Sequence, residues 1–195
     1  MELSLTPGKP TLGPIPNTLG FDKRPVAPEG SSDAWLYLVG EAPGGKEAEL
    51  GRPFVGPAGE ALRDMMHEAE IDFSRVRLAN AIPFRPIERS TRDRLRNRRP
   101  TQMELHTYGQ SVLSDVAKVK PAVIVALGKS AAMLFGVSTP VEQARKHAVL
   151  FDRTPVHVTY HPSYVLRFGG KGSRLWKSAV RDLNRSWIEA QTAPR

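Results

Sequence analysis

The sequence predicts an α/β fold, a three-layer sandwich with a central, mainly parallel four-stranded sheet flanked by helices. Three observations predict it. Strand-like and helix-like patterns alternate along the chain, the order in which helical crossovers build parallel sheets. The run AVIVALG, Ala122–Gly128, is apolar at almost every position, as a strand covered on both faces must be. The most distinctive polar residues fall just beyond expected strand ends, where open parallel sheets hold their ligands.

The elements follow in order. Residues 1–32 are rich in Pro and Gly and have no period, so they are expected to form an extended arm, with residues 33–195 as the domain. Ala34–Gly40 (AWLYLVG) reads as a buried first strand. Ala61, Leu62, Met65, Met66 and Ala69 share one side of a helix over Ala58–Ala69. Val76–Ile82 is the second strand. Thr101 opens a further helix with Glu104 as its capping-box partner, and that helix is expected to run to Lys118 before Pro121 ends it. Ala122–Gly128 is the third strand, followed by a short helix from Ser130, and Pro155–Tyr160 is the fourth. A last helix, Ser173–Ala190, buries Trp176, Val180, Leu183 and Trp187 and turns a basic face of Arg174, Lys177, Arg181 and Arg185 outward.

Composition narrows the chemistry. Lys and Arg number 28 against 20 Asp and Glu, a net charge of +8 that favours a polyanionic partner, most simply nucleic acid. Cysteine is absent, which excludes disulfides, thiol catalysis and thiolate-held metal clusters. The five histidines, His67, His106, His147, His157 and His161, are dispersed, and no metal site or cofactor is expected. No apolar run approaches the ~20 residues of a membrane helix. The N-terminus does not read as a signal peptide, so a cytoplasmic protein is expected.

Three segments carry chemistry. The first, GEAPGGKEAELGRPFVGPAG (Gly40–Gly59), leaves a strand, turns through glycines and enters a helix. Its glycines let backbone N–H groups approach a ligand. Glu41 and Glu47 place carboxylates beside that backbone, and Phe54 offers a ring as a floor for a flat ligand. The second is Asn80, whose amide presents a donor and an acceptor in one plane, as the edge of a pyrimidine requires. The third is HPSYVLR (His161–Arg167), with the imidazole at a strand end, a tight turn at Pro162 and Ser163, and bulky groups and a cation behind it. Between Arg85 and Arg99 lie seven arginines, including Arg94, Arg96 and Arg98, read as a phosphate-gripping loop.

Taken together, these segments resemble the uracil-DNA glycosylase superfamily, and within it family 4, with its GEAPG…E…GRPFVG.AG motif, central Asn and closing HP[SA]Y.LR. The resemblance covers roughly residues 34–187, and Lys120–Gly136 also looks like the family's third-strand segment. It implies a monofunctional enzyme that flips uracil from single- or double-stranded DNA, hydrolyses the N-glycosidic bond and releases free uracil, acting as a monomer. It implies that Glu41, Glu47 and His161 are catalytic, Glu41 being preferred to Glu47 for positioning water. Ala42, Phe54 and Asn80 would bind the base. Pro43, Gly44, Ser163, Tyr164 and Arg167 would hold DNA together with Arg94, Arg96 and Arg98. Family 4 members also hold a [4Fe–4S] cluster on four cysteines. Two of those positions are Phe84 and Tyr108 here, so aromatic packing is expected in the cluster's place. One relative traps the DNA sugar on a loop histidine, but no histidine lies between Arg85 and Arg99, and that reaction is not expected. Excision of another deaminated base such as hypoxanthine, and slow-turnover binding of uracil or abasic DNA, remain alternatives.

Overall fold

The computed structural model describes residues 20–22, 24–89 and 95–193. In chain order the first elements are β1 (Phe21–Asp22), β2 (Glu29–Gly30), β3 (Leu36–Gly40), α1 (Gly45–Leu50), α2 (Pro57–Glu68), β4 (Val76–Asn80), β5 (Arg85–Arg89) and β6 (Leu95–Asn97). There follow α3 (Gln102–Tyr108), α4 (Gln110–Val119), β7 (Val123–Leu127), α5 (Lys129–Leu134), α6 (Val141–Ala144), β8 (Val149–Phe151), β9 (Thr154–Thr159), α7 (Pro162–Phe168) and α8 (Arg174–Thr192). Most of the arm expected over residues 1–32 lies outside the described residues. Of the part that is described, Glu29 and Gly30 pair with Leu78 and Arg77 of β4.

The main sheet has six strands in the order β2-β4-β3-β7-β9-β8. The four expected strands, β3, β4, β7 and β9, are its parallel centre. The count of four is corrected by two antiparallel edges, β2 and β8. These run two and three residues, too short to show a period of their own. A second, three-stranded sheet, β1-β5-β6, stands apart.

Side chains alternate across the sheet as a strand's period of two requires. Leu36, Leu38, Val123, Val125 and Leu127 face α2 and α8, against Met65, Met66, Trp176, Leu183 and Trp187. Tyr37, Val39, Ile124 and Ala126 face the other layer, against Leu105, Val112, Val116 and Phe135. Among the described residues, no helix is long and apolar enough to cross a membrane.

The expected helix from Thr101 starts as predicted. Thr101 Oγ1 accepts from the Glu104 backbone N–H, and the Glu104 carboxylate accepts from the Thr101 N–H. It is broken at Gly109 into α3 and α4. There a Cβ would stand 2.3 Å from both the Leu105 carbonyl oxygen and Leu134 Cδ1, so α5 packs where only glycine fits.

On this face Phe84 and Tyr108 meet edge to face, ring centroids 5.4 Å apart at 79°. Phe84 is only 2% exposed, so its ring is a full member of the core. Phe84→Ala is expected to cost about 3–5 kcal/mol. A lowered denaturant midpoint at unchanged slope checks it.

Candidate active site

In the parallel centre β4 lies on one side of β3 and β7 on the other, so the chain reverses its direction of winding between β3 and β7. Crevices form at the carboxyl ends of strands at such a switch. A cleft of about 1170 Å³ opens there, and it is lined by Glu41, Ala42, Phe54, Asn80, Gly128 and His161, among others.

Its floor is built around an absent side chain. Gly40 ends β3, and a Cβ there would stand 2.6 Å from Phe54 Cζ and 2.7 Å from Asn80 Oδ1. The glycine lets the ring and the amide converge. Phe54 takes φ 55°, a left-handed conformation that costs a bulky residue energy and marks an imposed geometry. Arg63 Nη1 holds it by donating to the Phe54 carbonyl at 2.8 Å. Gly59 permits the turn, since a Cβ there would fall 1.8 Å from that same carbonyl oxygen. Asn80, at the last position of β4, is 6% exposed, too little for a merely solvated turn residue.

His161 stands opposite, one residue beyond Tyr160. Pro162 and Ser163 do not form an isolated tight turn, as expected from sequence, but open α7. His161 is the N-cap and Pro162 takes the first helical position, where its missing N–H costs nothing. The backbone N–H of Ser163 donates to His161 Nδ1 at 3.2 Å, and Ser163 Oγ lies 2.7 Å from the same nitrogen. An Nδ1 that accepts a backbone N–H carries a lone pair, so the neutral ring holds its proton on Nε2. Burial pushes the imidazole pKa down to about 4, against 6.5 for a free histidine. Near pH 7 this residue is therefore a neutral donor.

The two carboxylates differ. Glu41 Oε2 accepts from Ser130 Oγ at 2.6 Å, a contact from the start of α5 that fixes the side chain across the floor. Both Glu47 oxygens are engaged with backbone, Oε2 with the Gly44 N–H at 3.1 Å and Oε1 with the Gly56 N–H at 2.9 Å. Glu47 thus ties the two ends of the glycine-rich loop together around α1.

The described parts of the arginine-rich segment, Arg85–Arg89 and Leu95–Asn97, are strands of one antiparallel pair. β5 and β6 pair antiparallel, with Ile87 opposite Asn97 and Arg89 opposite Leu95. Arg94 lies outside the described residues. Arg96 pairs with Glu88 at 3.0 Å on the exposed hairpin face and is not among the residues lining the cleft. Arg98 does line it, but its guanidinium grips Glu104 through two bonds of 2.6 and 2.8 Å. Burial would raise the Glu104 pKa, yet Arg98 and the Thr101 N–H outweigh it and hold the carboxyl below its ordinary value. Arg98 therefore anchors the hairpin base to α3.

Of the other expected DNA contacts, Pro43, Gly44, Ser163, Tyr164 and Arg167 all line the cleft. Tyr164 stacks on the buried Tyr160 at 5.9 Å and meets Phe168 at 4.7 Å, so an aromatic ladder leads from the core to the exposed rings of Tyr164 and Phe168. Sequence reasoning missed several residues. Ser130 gave no signal, because its role depends on a neighbour 89 positions away. Asn97, which accepts from Arg85 Nε at 2.7 Å, was hidden in an arginine run. Lys46 and Lys129 each follow a glycine at a strand-end turn, a signal that was available.

The chain matches the family described as the uracil DNA glycosylase superfamily over residues 27–184. It is 32% identical over 164 residues to the type-4 uracil-DNA glycosylase of Thermotoga maritima, covering 83% of this chain and 80% of that one. It is 30% identical to the type-4 uracil-DNA glycosylase of Pyrobaculum aerophilum, over 75% of this chain and 76% of that one. The crystal structure of wild-type Pedobacter heparinus SMUG2 shares the fold, with a TM-score of 0.53 at 12% identity over 82% of this chain and 75% of that one. A thiolate-held iron–sulfur cluster does not fit the residues present, since the chain has no cysteine and the rings of Phe84 and Tyr108 pack directly against each other. With its parallel centre, its strand-end cleft and a family match over most of its length, the chain belongs to the uracil DNA glycosylase superfamily, in a form without the iron–sulfur cysteines.

Proposed function

We infer that this DNA glycosylase excises uracil from DNA by flipping the nucleotide into the cleft and hydrolysing its glycosidic bond. The observation that carries the reading is the convergence of Phe54, Asn80 and His161 on one cleft from three separate strand ends. The names of the relatives from Thermotoga and Pyrobaculum point the same way. A monomer releasing free uracil is part of the proposal.

In this mechanism the uracil ring stacks on Phe54, while Asn80 accepts from N3–H and donates to O4. As the bond between C1′ and N1 breaks, its electrons pass to the base and charge gathers on O2. The Nε2–H of His161 donates to that oxygen, a bond that strengthens as the charge grows. Glu41, steadied by Ser130, orients the water whose oxygen bonds to C1′ and whose released proton ends on the departing uracil anion, and its charge favours the cationic sugar. Glu47 acts at one remove, by holding the loop that carries Pro43 and Gly44. Those two residues and Ser163 grip phosphates. Tyr164 and Arg167 press into the stack that the flipped nucleotide leaves, at a cost of a few kcal/mol for a paired base.

Asn80→Ala tests the edge-reading role. The variant is expected to lose roughly 10- to 100-fold in kcat/KM on single- and double-stranded uracil DNA, equivalent to about 1–3 kcal/mol of base discrimination. An undiminished variant would refute the role. Wild type should release uracil but not thymine from matched duplexes, and release of hypoxanthine without uracil would overturn the substrate.

A further inference from the structure

The outer face of α8 carries charge that the cleft does not use. Arg174, Lys177 and Arg181 are all exposed. At about 100° per residue they fall, with Arg185, within an arc of about 80°. Arg185 bends inward, donating to the Arg145 carbonyl at 2.8 Å and approaching Asp182 at 3.8 Å. The other three differ from several arginines that are neutralised. Arg52, Arg75, Arg77, Arg96 and Arg145 each sit within 4.0 Å of a carboxylate. Among the described residues, no carboxylate lies that close to Arg174, Lys177 or Arg181. Arg181 reaches only Ser178 Oγ, at 3.4 Å.

A groove of about 510 Å³ runs beside these three side chains, with Glu68 on its far wall. Glu68 forms no ion pair with any of the three, its Oε2 accepting instead from Trp176 Nε1 at 2.9 Å, so its single charge offsets at most one of the three cations. The stripe also starts in a telling place. Leu175, between Arg174 and Trp176, lines the cleft. Trp187, later on the same helix, stacks on Trp35 at the opposite end of the sheet. The cations therefore descend from the lip of the cleft down the flank. At 1.5 Å per residue, Arg174 and Arg181 are about 10 Å apart along the axis. With about 3.4 Å of duplex axis per phosphate on one strand, that length matches about three phosphates.

We propose that Arg174, Lys177 and Arg181 form a second DNA-backbone site, which holds the strand outside the cleft by its phosphates. The proposal rests on the glycosylase reading for the path of the substrate, and it makes long DNA a better substrate than short. Its test compares wild type with Arg174→Gln/Lys177→Gln/Arg181→Gln. Binding to a uracil-free duplex of about 30 base pairs is measured from about 50 to 200 mM salt. The slope of log affinity against log salt is expected to fall in magnitude by about 2–3, at roughly 0.9 per lost phosphate contact. Uracil release from a single strand of about five nucleotides, too short to reach the flank, is expected to stay within about twofold. Arg174→Lys/Arg181→Lys keeps the charge and should keep the wild-type slope.

An unchanged slope in the glutamine variant overturns the proposal. So does an equal loss on short and long DNA, which would mean a damaged cleft, or a lysine variant that loses the slope as well. If wild type released no uracil from either substrate, the glycosylase reading would fall, while the slope on uracil-free duplex would still decide the flank site.

Discussion

Alanine in place of His161 is expected to lower kcat by about 10²- to 10³-fold, or about 2.7–4 kcal/mol, the worth of one donor aimed at a developing oxyanion. KM should change little, because the bond counts for most only once charge has moved to O2. The pH profile gives a second check. The imidazole is pushed down to about 4 by burial, so it stays neutral through the range in which a free histidine titrates. The acid limb it sets on kcat/KM should therefore lie near pH 4, with no inflection near 6.5. An inflection near 6.5 that disappears in His161→Ala would contradict the neutral-donor mechanism. The same depression acts on stability. Between 6.5 and about 4 the unfolded chain binds a proton at this site that the native chain refuses. Stability is therefore fully present above 6.5 and is lost as pH falls toward 4. The alanine variant should lack this loss in thermal melts taken across that window.

Gly40→Ala should be nearly as damaging, although it adds one methyl group and removes nothing. That methyl would stand 2.6 Å from Phe54 Cζ and 2.7 Å from Asn80 Oδ1, so the ring and the amide must both move. Phe54 has little room to yield, with its backbone at φ 55° and its carbonyl held by Arg63. Displacing a base-holding pair by about 1 Å is expected to lower kcat/KM on the order of 100-fold. Overpacking adds about 1–3 kcal/mol of destabilisation. Gly51→Ala provides the contrast within the same motif. Its φ of 69° brings backbone strain, but nothing lies within 4 Å of the added atom. That variant should lose some stability, about 1 kcal/mol, and keep its activity. Equal activity in the two variants would show that the Gly40 contact does not shape the pocket.

The parallel centre of the sheet was legible because each of its strands is long and apolar enough to announce itself. Within AVIVALG, Val123–Leu127 are buried throughout, as their composition required. Edge strands of two or three residues carry no such pattern, and β2 and β8 were invisible for that reason. The hairpin of β5 and β6 was masked by its own arginines, since charge at nearly every second position reads as a solvated loop. At the site, Glu41, Phe54, Asn80 and His161 line one cleft, whereas the partners that fix them carry no pattern in the sequence. Glu41 was marked by its position after β3, but Ser130 is linked to it only by the third dimension. The two glutamates look equivalent in one dimension, and only the Gly44 and Gly56 amides distinguish them.

The edge-to-face pair of Phe84 and Tyr108 has a consequence for the life of the protein in a cell. A core braced by hydrocarbon is complete once the chain has been made. It waits for no delivery of metal by assembly factors, so its yield should be indifferent to iron starvation. Peroxide or superoxide finds no thiolate or exposed iron to strip. Repair by such an enzyme would persist through oxidative episodes.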